Sequence, residues 1–166
     1  MTTIITLCTG NAARSVMAGA VLVHADPGLR VITAGTHVID GQPMSWRTRE
    51  ALAALGLEAN HHRSAQLRPS DLADTDLVLA MAAEHVRYMH RRHPEVADRT
   101  ATLRRLARDL PAGPQPLAER LATLELAHHE PAEWEDVVDP AGGTDVDYVE
   151  CARQIDDLLA RLIPRL

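Results

Sequence analysis

The chain has no phenylalanine, only two tryptophans and two tyrosines, and no lysine, so that all 17 of its basic residues are arginine. Without aromatic bulk, a core has to be built from Leu, Val, Ile, Ala and Met. Without lysine, a Walker-type nucleotide loop and a Schiff-base mechanism are both excluded, because each needs that side chain. Long apolar runs are missing as well: nothing approaches the roughly 20 residues that a membrane span requires. The opening "MTTIITLC" has no basic leader and too short an apolar run for a signal peptide. The two cysteines, Cys8 and Cys151, lie far apart and make no disulfide framework, which suits a reducing cytoplasm. A net charge of −6 argues against a general nucleic-acid binder. Neither nucleic acid nor membrane is expected as a partner.

What is present is alternation. At 166 residues the chain reads as one domain, 1–166, large enough to bury a core. "TIITLC" (3–8) reads as a buried strand, followed by a helix through "SVMAGAVLVHAD" that Ser15 is placed to cap. Further strands are expected at 30–35, 76–81 and, in "TATLRRL", 100–106. Helices are expected at 45–56, 82–93, 117–129 and 145–163, with "LPAGPQP" (110–116) as a connector. Strands alternating with helices imply an α/β fold: a three-layer domain with a central four-stranded parallel sheet covered on both faces. Arginines crowd the stretch from Arg87 to Arg108, which reads either as a solvated helical face or as a docking surface for an acidic partner.

In such a sheet, ligands bind beyond the carboxyl ends of the strands. Cys8 ends the first strand, and "CTGNAARS" runs from it through Thr9, Gly10, Asn11, Ala12 and Ala13 to Arg14 and Ser15. Gly10 adopts positive φ freely and Asn11 tolerates it, while the two alanines leave the inner side uncrowded. A loop so curled turns successive N–H groups inward as an anion nest, and the helix that follows adds its own free N–H groups. A dianionic phosphate fits there, with Cys8 as thiolate nucleophile and Ser15 donating to the sulfur. The planar fork of Arg14 suits two equatorial oxygens of a phosphoryl group in transfer. A buried strand-end cysteine is the competing reading of Cys8.

At this point the chain resembles the low-molecular-weight protein-tyrosine phosphatases, whose loop is Cys-x-Gly-Asn-x-Cys-Arg-Ser-Pro near the N-terminus. That family also places an Asp-Pro pair late in the chain, matched here by Asp139 and Pro140 in "VVDPAGGTDVDY". The likeness covers nearly the whole chain through "TAGTH", "GQP", "HHRSAQL" and "DLVLAM". It implies a phosphocysteine intermediate on Cys8 with Asp139 as general acid and base, a role such chemistry asks of a carboxylate. It also implies that Asn11 and His62 support the loop through hydrogen bonds, with a surface histidine the rival reading of His62. No metal or other cofactor is called for, and the paired histidines, including His90 and His93, lack a completing ligand set. The substrate would be a phosphorylated protein or a small phosphomonoester.

Several positions depart from the family pattern. Ala13 replaces a second cysteine, so local disulfide protection of Cys8 is not expected. Val16 replaces a proline, Ala65 an arginine, and Ala141 the aromatic usual after Asp-Pro. Trp46 either supplies a ring from another loop or simply packs in a first helical turn. Ala12 stands where tyrosine-directed members often have Ile and arginine-phosphate-directed ones Thr. The stretch 109–135 looks extended and is expected to border the site and shape access. Two other functions share the loop: arsenate reduction with an external thiol, and phospho-residue binding without turnover. Cys151 reads as a packing residue of the last helix.

Overall fold

Residues Thr3–Cys8 form β1, the strand around which the sheet is assembled. The structure, a computed structural model, describes residues 1–166. β1 pairs in parallel with β2 (Arg30–Gly35) on one side and with β3 (Leu77–Ala80) on the other. β4 (Thr100–Thr102) joins β3, giving the order β2-β1-β3-β4. Every pairing is parallel, so every connection crosses over, and helices cover both faces.

The pleat of β1 sorts its side chains between two cores. Ile4 and Cys8 join a large cluster under α1 (Arg14–Ala25), α2 (Trp46–Ala54), α5 (Leu103–Asp109) and α7 (Asp145–Leu162). Ile5 and Leu7 join a smaller one with Leu72 of α3 (Pro69–Leu72) and Met89 of α4 (Ala83–Arg92). The largest fully buried side chains are all Leu, Ile or Met, so aliphatic packing replaces the missing aromatics.

Three sequence expectations need correction. The strand expected through "TATLRRL" ends at Thr102, whose Oγ1 accepts from the Arg105 amide at 3.1 Å and caps α5. The helix expected over 117–129 stops early: α6 is Leu117–Ala122, and Glu125 takes a left-handed φ of 50° that an α-helix cannot propagate through. Ser15 does not cap α1; the helix starts one residue sooner, at Arg14, and no side chain caps its first amides.

The topology fixes where a ligand belongs. From β1 the chain crosses to β2 on one side and then to β3 on the other, so the carboxyl ends of β1 and β3 flank the point where strand order reverses. Cys8 stands at that point.

Candidate active site

The amides from Gly10 to Val16 have no acceptor anywhere in the protein; the first bond of the α1 ladder is from Met17 N to Ala13 O. Seven-residue curvature of this kind is held open from outside rather than by its own ladder. Asn11 makes the turn, with a φ of 49° and no exposed surface, whereas Gly10 stays out of the left-handed region. The positive φ expected at Gly10 or Asn11 therefore falls on the asparagine, which tolerates it because its side chain bonds locally. Asn11 Nδ2 donates to Ser15 Oγ at 2.9 Å, and Asn11 Oδ1 accepts from the Ala65 amide at 2.9 Å.

Further supports arrive from three other elements. Asn11 O accepts from His62 Nε2 at 2.8 Å and from Ser64 Oγ at 2.9 Å. Ala12 O accepts from Thr48 Oγ1 at 2.9 Å, a first-turn residue of α2. Burial, its largest influence, holds the His62 imidazole below the usual histidine range, so that it donates as a neutral ring. Glycine at 35 lets the loop lie against β2: a Cβ there would stand 2.5 Å from Thr9 O and 3.0 Å from Asn11 N.

Cys8 is 3% exposed, with its sulfur 3.0 Å from Ser15 Oγ. Because that hydroxyl already accepts from Asn11, its own hydrogen is free to point at the sulfur. The Arg14 guanidinium, also buried, donates to Val137 O at 3.0 Å and to Asp139 Oδ2 at 3.1 Å. Residues 136–139 are themselves pinned above the sheet: Val137 N bonds Met81 O at 2.8 Å, and Asp136 Oδ1 takes the Ala83 amide at 2.7 Å. Asp139 is half exposed beside Pro140, and its Oδ1 accepts from the Ala141 amide at 3.0 Å. Cysteine, arginine and aspartate thus meet at one edge of the sheet.

The structure also brings in a residue the sequence did not single out. His85, at the start of α4, is 1% exposed, and its Nε2 lies 2.9 Å from Thr9 Oγ1. Thr9 donates to Glu84 Oε1 at 3.3 Å, so Nε2 carries the hydrogen and Nδ1 is left buried without a partner. Burial first, then the Arg14 charge, pushes this imidazole down to about 3. Ser64, Thr48 and His85 are ordinary residue types at unmarked positions, and only the fold reveals their convergence on the loop.

The other predicted residues are placed less centrally. Trp46 is 53% exposed at the start of α2, with the Arg47 guanidinium 4.9 Å over its ring, so it is not a packing residue. Cys151 is buried in the large core, and burial pushes its thiol up to about 12. Most of 109–135 lies far from Cys8: α6 shares a cavity with Met1 and Arg30 at the amino ends of the strands. Only its last residues, tied by Arg87 to Glu130 and Pro131, approach the acid loop. Nor is the arginine-rich stretch one uniform face, since Arg87 and Arg104 clamp this segment while Arg105 and Arg108 hold Asp109.

The fold and the loop define a class: parallel-sheet proteins covered on both faces, with a cysteine ending the first strand and a loop of acceptor-free amides directly after it. Residues 3–113 match the family model described as low molecular weight phosphotyrosine protein phosphatase, and the chain belongs to that family. A protein of Ralstonia solanacearum named "Probable low molecular weight protein-tyrosine-phosphatase EpsP" is 39% identical over 92 residues, covering 55% of this chain and 63% of that protein. The "Protein-arginine-phosphatase" of Geobacillus stearothermophilus is 30% identical over 164 residues, covering 98% of this chain and 95% of that one. The structure of a low molecular weight protein tyrosine phosphatase from T. tengcongensis superposes with a TM-score of 0.81 at 27% identity, over the full length of both chains. No helix is long and apolar enough to cross a membrane.

Proposed function

We propose that this protein is a metal-independent, cysteine-based phosphatase that hydrolyses phosphorylated proteins through a phosphocysteine on Cys8. One observation carries the reading: the Cys8 sulfur sits 3.0 Å from a hydroxyl that can donate to it, at the head of a loop whose amides from Gly10 to Val16 have no acceptor in the protein. A phosphate dianion offers those amides their missing acceptors. It also competes with Asp139 and Val137 O for the Arg14 guanidinium. As phosphate takes the guanidinium, Asp139 is released beside the leaving oxygen.

The reaction then runs in two displacements. The Cys8 thiolate attacks phosphorus in line, forming an S–P bond while the P–O bond breaks, and Asp139 gives its proton to the departing oxygen. Water attacks the phosphocysteine, Asp139 takes a proton from that water, and the thiolate leaves with Ser15 donating to it. Arg14 holds two equatorial oxygens throughout. The names of the relatives support both phosphotyrosine and phosphoarginine as the group removed, and the reducing cytoplasm suits a protein whose two cysteines are both free.

Hydrolysis of p-nitrophenyl phosphate by wild type, Cys8→Ser and Asp139→Ala tests this. Cys8→Ser should show no turnover above background, and Asp139→Ala should fall by about 100-fold. Full activity in Cys8→Ser removes the nucleophile from the mechanism. Phosphate binding with no wild-type turnover would establish a binding protein instead, and thiol-dependent arsenate reduction outpacing aryl phosphate hydrolysis would establish a reductase.

A further inference from the structure

Between α5 and α7 lies a cavity of about 510 Å³ whose walls include four guanidinium groups, from Arg104, Arg108, Arg153 and Arg161. Two carboxylates, Glu150 and Asp157, share the lining, so the balance there is positive in a chain whose net charge is −6. The arginines are not equally engaged. Arg108 is held by Asp109 and stacks 3.9 Å from the ring centroid of Trp134. Arg104 donates only to Trp134 O, and Arg161 only to a backbone oxygen of its own helix. Arg153 is exposed and has no hydrogen-bond or ion-pair partner at all.

Trp134 completes the wall with 40% of its surface exposed, in a chain that spends only two tryptophans. Exposed tryptophan beside arginines with free donors is the composition that dominates binding surfaces. The cavity also adjoins the acid loop that carries Asp139. Glu150 and Gln154 line both it and the neighbouring cavity walled by Asp139, Pro140 and Gly143.

We propose that this cavity docks acidic side chains of the phosphorylated protein substrate, on one side of the residue held over Cys8; the inference rests on the phosphatase reading above. Glu150, at the junction, faces the passing chain with a like charge, so the attractive contacts lie beyond it, toward Arg153, Arg161 and Trp134. Those arginines extend along α7 at about 1.5 Å per residue, some 16 Å from Glu150 to Arg161. An extended peptide covers that distance in about five residues. The acidic positions therefore spread over about five residues of substrate, all on that one side of the phosphorylated residue.

The test compares three substrates: p-nitrophenyl phosphate and two phosphotyrosine peptides identical except that flanking Asp and Glu in one are Asn and Gln in the other. Wild type should prefer the acidic peptide by about tenfold in kcat/KM, mainly through KM, and high salt should erase the preference. The doubly substituted Arg153→Gln/Arg161→Gln protein should treat the peptides alike while hydrolysing p-nitrophenyl phosphate normally; Trp134→Ala should give a partial loss. Equal rates for the two peptides with wild type, or a preference that survives the double substitution, overturns the docking site while leaving the phosphatase intact. If wild type hydrolyses none of the three, the phosphatase reading fails, and the site is judged by fluorescence anisotropy of a labelled, unphosphorylated acidic peptide. Binding that weakens in the double variant supports docking, and absence of binding by wild type overturns it.

Discussion

His85 shows what a single buried polar side chain can cost and provide. It sits under the loop as a neutral ring, bonded to Thr9 through Nε2 and unbonded at Nδ1, with the Arg14 charge nearby. The unfolded chain takes up a proton on this imidazole near pH 6.5, whereas the folded protein refuses it until about pH 3. Its stabilising contribution is therefore complete above pH 6.5 and is lost progressively as pH falls from there toward 3. At pH 5 the loss is about 2 kcal/mol. His62 and His90, also shifted down mainly by burial, act in the same direction, so wild type alone does not isolate the effect. Denaturant unfolding of wild type and His85→Gln at pH 7 and pH 5 does: the variant should lose less stability between the two by about 2 kcal/mol. Equal losses would mean that the ring is reached by protons in the folded state.

At the scale of elements, the loop and β2 are interlocked through one glycine. A Cβ at Gly35 would stand 2.3 Å from Val38 Cγ2 and 2.5 Å from Thr9 O, and the second of these neighbours is backbone that cannot rotate away. Gly35→Ala should destabilise by about 1–3 kcal/mol and reduce kcat/KM on p-nitrophenyl phosphate, since relief requires the Thr9 peptide to move. Gly10→Ala is the control for stability, because a Cβ there meets nothing within 4 Å; its unfolding midpoint should match wild type. A Gly35→Ala protein as stable as wild type would show that the loop yields freely. The contrast also explains what the sequence made legible. Cys8, Asn11, Arg14 and Ser15 lie within one turn of chain, so their spacing alone implies a curled loop and a helix start. Gly35, Thr48, Ser64 and His85 reach the same loop from other elements, and a common residue type at an unremarkable position carries no local signal of that. Ser15 illustrates the ambiguity: one position read both as a helix cap and as a partner for sulfur, and the fold gives its hydroxyl to the sulfur. The end of "TATLRRL" was hidden for a related reason, since a threonine suits a strand and a cap equally well until Arg105 N is placed upon it.

Across the whole molecule, chemistry and closure occupy opposite ends of the sheet. The carboxyl ends of β1 and β3 hold the cysteine loop, while α6 and the final residues gather at or behind the amino ends, where Pro116, Leu117 and Leu121 share a cavity with Met1 and Arg30. The tie there is Arg120, 7% exposed and without an Asp or Glu partner. Its guanidinium donates instead to main-chain oxygens: Gln115 O at 2.9 Å, Pro111 O at 3.1 Å, and those of Arg165 and Leu166. It therefore joins the 110–116 connector to the end of the chain, two segments with no regular pairing of their own. Replacing it with methionine keeps the apolar stem and removes the donors, leaving a buried end without its hydrogen bonds and several half-buried main-chain oxygens without their shared partner. Arg120→Met should cost about 2–4 kcal/mol in unfolding free energy. Because the loss falls at the far end from Cys8, kcat/KM on p-nitrophenyl phosphate should stay within about twofold of wild type wherever the variant remains folded. Thermal unfolding and steady-state kinetics on the same preparation decide it: a stable variant denies the tie, and a folded but slow one shows that strain at the amino ends of the strands reaches the loop at the other.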